Sequence, residues 1–121
     1  MTSMFTDPPT RAYERFVELG GQVGEALGVD YDLGRRLFGM FRDLGLASLG
    51  ASVYQPSFAT SERKRLWEYT FLEAGAGAIA SGIVGQSEFD GLVPEFAAIG
   101  ADDTTLVVQP SLITVVGATP G

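Results

Sequence analysis

The stretch that most limits how this chain can fold is Thr104-Thr105-Leu106-Val107-Val108-Gln109-Pro110-Ser111-Leu112-Ile113-Thr114-Val115-Val116-Gly117. It carries no charge, is rich in Val, Ile and Thr, and has a single proline as punctuation. Such residues fit a pleated, buried surface. A strand that is apolar on both alternations needs neighbours on both edges and cover on both faces. Most of the remaining sequence has helical spacing and offers one other convincing strand. The fold therefore turns on what pairs with residues 105–117, and a second neighbour for that strand is not evident within the 121 residues.

The first neighbour is the segment 46–55. Leu49, Ala51 and Val53 fall on one face, and Ser48, Gly50, Ser52 and Tyr54 on the other, before Pro56 stops the strand. Four helices are expected around this pair, over about 10–27, 31–44, 61–80 and 87–98. The first presents Tyr13, Phe16, Leu19 or Gly20, Val23 and Leu27 at three- and four-residue steps, weakened by Gly20, Gly21 and Gly24. Asp30 is placed to cap the second, whose stripe is Leu33, Leu37, Met40 or Phe41, and Leu44, with Gly45 ending it. The third opens at Thr60 or Ser61 and carries Trp67, Phe71, Ala74 and Ala78. The fourth follows a capping box, Ser87 to Asp90, with Phe89, Val93 and Phe96 inward and Pro94 kinking or shortening it. Residues 1–9 read as irregular because of Asp7-Pro8-Pro9. The expectation is one α/β domain over residues 1–121, an antiparallel strand pair covered by helices.

Composition closes several routes. There is no Cys and no His, which removes thiol chemistry, His-based acid–base catalysis and the usual zinc sites. A net charge of −7 opposes nucleic acid and anionic membrane. Apolar runs are broken well short of a membrane span, and Met1-Thr2-Ser3-Met4-Phe5 has no basic residue ahead of an apolar core, so a cytoplasmic protein is expected. The basic clusters Arg35-Arg36 and Arg63-Lys64-Arg65 read as solvated helix faces.

Glu73-Ala74-Gly75-Ala76-Gly77-Ala78 has the form of a nucleotide-binding loop, but that motif needs a strand before it and more sheet after it. The preceding residues have helical spacing, so a glycine-softened helix end is the better reading. Asp30 and Asp32 read as capping groups, and Asp102-Asp103 as a solvated turn. Tyr13, Tyr31, Tyr54 and Trp67 fit core or rim. No residue is assigned a catalytic, cofactor-binding or metal-ligating role.

One family resemblance runs through most of the chain. Gly28-Val29-Asp30-Tyr31-Asp32-Leu33-Gly34-Arg35-Arg36-Leu37, then Phe41-Arg42-Asp43-Leu44-Gly45-Leu46, resembles the helix-to-strand join before the sixth strand of class I S-adenosylmethionine-dependent methyltransferases acting on small molecules. Pro110 to Pro120 is similar to their seventh, antiparallel strand, with Ala118-Thr119 where an Arg is usual. The resemblance implies the post-strand-five part of a Rossmann-like fold, a C-terminal fragment without the cofactor loop, in which strand seven lies between strands five and six. It implies S-adenosylmethionine as the cofactor of the complete enzyme, with no tight binding and no turnover by this chain alone. The acceptor would be a small molecule, its pocket lined by Met4, Phe5, Tyr13 and Phe16, although Tyr13 and Phe16 fit plain helix core better. The alternative is a non-catalytic acidic α/β module that binds a partner or apolar ligand. It would form a homodimer through the exposed edge of strand 109–117.

Overall fold

A computed structural model describes residues 1–120; Gly121 lies outside the described residues. In chain order the elements are β1 (Phe5–Asp7), α1 (Arg11–Leu27), α2 (Gly34–Asp43), β2 (Ala47–Tyr54) and β3 (Ser57–Phe58). A 3-10 turn at Glu62–Arg65 then leads into α3 (Leu66–Ala80), followed by α4 (Gln86–Ala101), β4 (Leu106–Val108) and β5 (Leu112–Ala118). Two small antiparallel sheets result, ordered β1-β4-β3 and β2-β5. This is a mixed α/β fold.

The sheets are halves of one bent ribbon. Tyr54 lies opposite Leu112 and Ser57 opposite Val108, so three residue steps on one strand face four on the other. Pro56 and Pro110 sit at the step, and neither has an N–H to continue a ladder. The expected continuous strand 105–117 is therefore two strands that enter different sheets. One backbone bond and two amide side chains hold the step. The Gln109 N–H donates to the Pro56 carbonyl at 2.9 Å. Gln55 Nε2 donates to the carbonyls of Gln109 (3.2 Å) and Ser3 (2.9 Å), and Gln109 Nε2 to that of Arg63 (3.1 Å).

The N-terminal residues are less irregular than their prolines suggest. Phe5–Asp7 pairs with β4, so β4 is flanked on both borders by its own chain. The neighbour missing from the sequence reading is thus β1 for the first half of the apolar run. β5 pairs only with β2 among the described residues. Its 46–55 partner is as expected.

The core lies on the three-stranded sheet, under α1, α3 and α4. Ala12, Tyr13, Phe16 and Leu19 of α1 meet Phe71 of α3, Leu92, Phe96 and Ile99 of α4, and Val107 of β4. Phe16 sits edge-on to Trp67, Phe71 and Phe96, and Tyr13 edge-on to Phe96 at 5.2 Å. Each such pair adds about 0.5–1.5 kcal/mol beyond its buried area. This packing explains why α4 runs through Pro94 to Ala101 instead of ending there. Leu92 and Phe96 anchor it on both sides of the proline, while the carbonyl that loses its partner belongs to the exposed residue Asp90.

Several termini depart from the expected caps. Asp30 makes a turn instead, accepting from the Asp32 N–H at 2.9 Å and pairing with Arg36, and α2 starts four residues later at Gly34. Gly85, not Ser87, is the N-cap of α4, and neither helix has a side-chain cap bond. Gly45, at φ +77°, does end α2. Lys64 is not on a solvated face: it is 1% exposed, and Nζ donates to the carbonyls of Ala59 (2.9 Å) and Asp102 (2.5 Å). The second contact puts a cation at the C-terminal end of α4, where the helix dipole favours one. By contrast α2, packed on the β2–β5 sheet, buries no residue fully, and Leu44 is 74% exposed.

Gly75 and Gly77 separate packing from propensity within one helix. A Cβ on Gly75 would lie 2.3 Å from Cε2 of Phe89, whereas Gly77 faces open space. Gly77→Ala should raise the urea midpoint, by about 1 kcal/mol of helix propensity. Gly75→Ala should lower it, because displacing Phe89 from its stack on Phe71 costs about 1–3 kcal/mol. Equal shifts in the same direction would refute this packing.

Candidate functional site

Three concavities deserve comparison, because the residues with chemistry in the sequence distribute among them. The first is a depression of about 190 Å³ where β1 enters α1, lined by Met4, Phe5, Thr6, Pro9, Thr10 and Tyr13, with Glu14 at its rim. It gathers three of the four residues that the resemblance nominates. Met4 and Tyr13 form its buried floor, and Phe5 is 53% exposed. Thr6 and Thr10 share a hydroxyl–hydroxyl bond of 2.8 Å beside them.

Phe16, the fourth nominated residue, is one turn further along α1 and faces a different space. This pocket, about 140 Å³, lies between α1, α3 and α4. Phe16, Leu19 and Val23 form one wall, and Phe71, Ala78 and Phe89 the other. Met1, Tyr31 and Ala74 stand at its open side. The sequence reading of its α3 wall, within Glu73 to Ala78, is a softened helix end in place of a nucleotide-binding loop, not an apolar pocket. The available signal was the small residues Ala74, Gly75 and Ala78, which share one side of α3 and leave room opposite Phe16.

The third is an open groove of about 460 Å³ beside the proline bend. Tyr54 and Leu112 enter it from the paired ends of β2 and β5, and Leu66, Tyr69 and Arg63 from the start of α3 and the turn before it. The Tyr69 hydroxyl donates to Glu62 Oε1 at 2.5 Å, and that bond raises its pKa.

Burial, helped by the nearby Glu68 carboxylate, pushes the Tyr13 hydroxyl up to about 12, so it stays protonated at neutral pH. Glu68 is buried and held by Arg65 at 3.0 Å. Asp32 is held below the usual carboxylate range by the Met1 amino group, and Asp102 by bonds from Thr104 and Thr105. Among the described residues no three His, Cys, Asp or Glu side chains converge as a metal site, and no helix is long and apolar enough to cross a membrane. Gly75 and Gly77 do not fit a cofactor cradle. They lie inside α3, where the backbone N–H groups serve the helix, and Phe89 closes over Gly75. Comparison with protein-family models, curated proteins and solved structures finds no significant match to this chain.

The environment of Tyr13 has a titration signature. Below about pH 10 the phenol is protonated in folded and unfolded chains alike. Between about pH 10 and 12 the unfolded chain loses its proton first, so stability falls as pH rises, by on the order of 2 kcal/mol from this group. Tyr13→Phe should flatten that part of the alkaline decline. It should also remove a late-ionising tyrosine from an ultraviolet titration. An unchanged titration curve would place the Tyr13 hydroxyl in water.

Proposed function

We propose that this chain is the C-terminal, acceptor-side part of an S-adenosylmethionine-dependent methyltransferase acting on a small molecule, and that it is inactive alone. The observation that supports the reading is the arrangement of α2, β2 and β5. α2 turns at Gly45 into β2, and β5 returns antiparallel beside it with its other border unpaired among the described residues. A Rossmann-like sheet of the resembled family continues across that border, with strand five as the neighbour of strand seven.

In this reading Met4, Phe5, Tyr13 and Phe16 line the acceptor side, from the depression at the start of α1 to the pocket behind it. Their contribution to transfer is positioning and exclusion of water, with the protonated Tyr13 hydroxyl as an orienting donor. The methyl group comes from the cofactor held by the other part of the enzyme. No residue of this chain is given a role toward it.

The β5 border also supports a second reading. Leu112 to Ala118 contains no charge and no proline, the devices that ordinarily protect a strand edge. Tyr54 and Leu112 add 63% and 61% exposed apolar side chains on the open face of the same sheet. A non-catalytic module that self-associates through β5 and binds a partner or apolar ligand would use both features.

Calorimetric titration of the chain with S-adenosylmethionine should show no saturable heat, and the reading frame upstream of Met1 should encode an acid-x-Gly-x-Gly loop. Micromolar affinity, or no such loop, would overturn the methyltransferase reading. Light scattering addresses the second reading: a uniform dimer at low concentration, lost on Val116→Lys, favours self-association through β5. Polydisperse association that grows with concentration favours the first.

A further inference from the structure

The pocket between α1, α3 and α4 has a size and lining that select their own ligand. Its volume of about 140 Å³ is below the roughly 300 Å³ at which pockets begin to enclose drug-sized molecules. It is close to the roughly 150 Å³ at which an apolar protein cavity accepts benzene. No charged side chain lines it. The one aliphatic hydroxyl in the wall, Thr70 Oγ1, already donates to the Leu66 carbonyl at 2.9 Å. The Met1 amino group at the lip is engaged by Asp32 at 2.6 Å.

Water in such a space lacks the two to four polar partners that would hold it there. An apolar guest displaces poorly held water favourably. Aromatic faces stand ready for it: Phe71 and Phe89 stack with centroids 4.7 Å apart, and Phe16 faces them from α1. We infer that this pocket is a binding site for a small, uncharged, apolar molecule of one-ring size. The pocket is the inner end of the acceptor side in the methyltransferase reading, but its ligand class does not rest on that reading, because α1, α3 and α4 form the walls however the rest of the chain is used.

Toluene is a suitable probe, with benzoate as the charged molecule of the same shape. Trp67, the single tryptophan, lies edge-on to Phe16 at 5.9 Å and reports on that wall. Titrating the full chain with toluene should change Trp67 emission saturably, at millimolar or lower concentration, and raise the thermal unfolding midpoint. Benzoate should do neither. Ala78→Leu fills the pocket from a helix position that tolerates leucine, and should weaken toluene binding at least tenfold without lowering the midpoint. Ala74→Leu, at the mouth, should act the same way and replaces it if Ala78→Leu does not fold. Leu112→Ser, in the groove beside the proline bend, should leave toluene affinity unchanged. No saturation with toluene, equal affinity for benzoate, or undiminished binding by a folded, filled variant would overturn the inference.

Discussion

Two prolines set opposite each other decide how this chain divides its apolar surface. Pro56 and Pro110 interrupt both strands of one antiparallel ribbon at the same level, and the register steps by a residue across them. Without the replacement bonds from Gln55 and Gln109, the bend would leave backbone groups unpaired inside the protein. Gln109 is itself buried, and its amide also ties the ribbon to the turn before α3. Loss of that glutamine would therefore loosen the ribbon and the helical layer together.

The bend produces two layers of unequal depth. On one side β4, flanked by β1 and β3, carries Val107 under three helices, and the aromatic cluster around Phe16 closes over it. On the other, β2 and β5 have only α2 for cover, and none of the three elements buries a side chain fully. Stability in such a molecule is concentrated in the first layer, and the second opens at lower cost. The same asymmetry separates the possible roles. A pocket in the well-packed layer keeps its shape, while an unpaired border on the thin layer is available for strand addition.

Periodicity reported element type well and junctions poorly. Tyr13, Phe16 and Leu19 of the expected stripe are buried on α1, although Leu27 at its end is exposed, and the alternation over 46–55 identified β2 and its antiparallel partner. The proline in the terminal run was visible, yet its effect depended on a second proline far away in sequence, which no local pattern connects to it. β1 was missed for a related reason: three residues are too short for a period, and only the border of β4 makes them a strand. Expected caps at Asp30 and Ser87 failed because those side chains found other uses or the helix began earlier. Lys64 could not be told from its exposed neighbours Glu62 and Arg63, since its burial comes from the end of α4 packing above it.

The nominated acceptor residues illustrate how a linear guess becomes two places. Met4, Phe5 and Tyr13 converge where β1 hands over to α1, but Phe16, one helical turn on, points across the aromatic cluster to α3 and α4. Tyr13 and Phe16 both touch Phe96, so one buried ring that lines neither concavity stands between them. A molecule seated in the apolar pocket would press on Phe16, and through Phe96 on the ring of Tyr13. The Tyr13 ring and the wall of the neighbouring pocket are thus joined by two aromatic contacts, through Phe96, within one close-packed core.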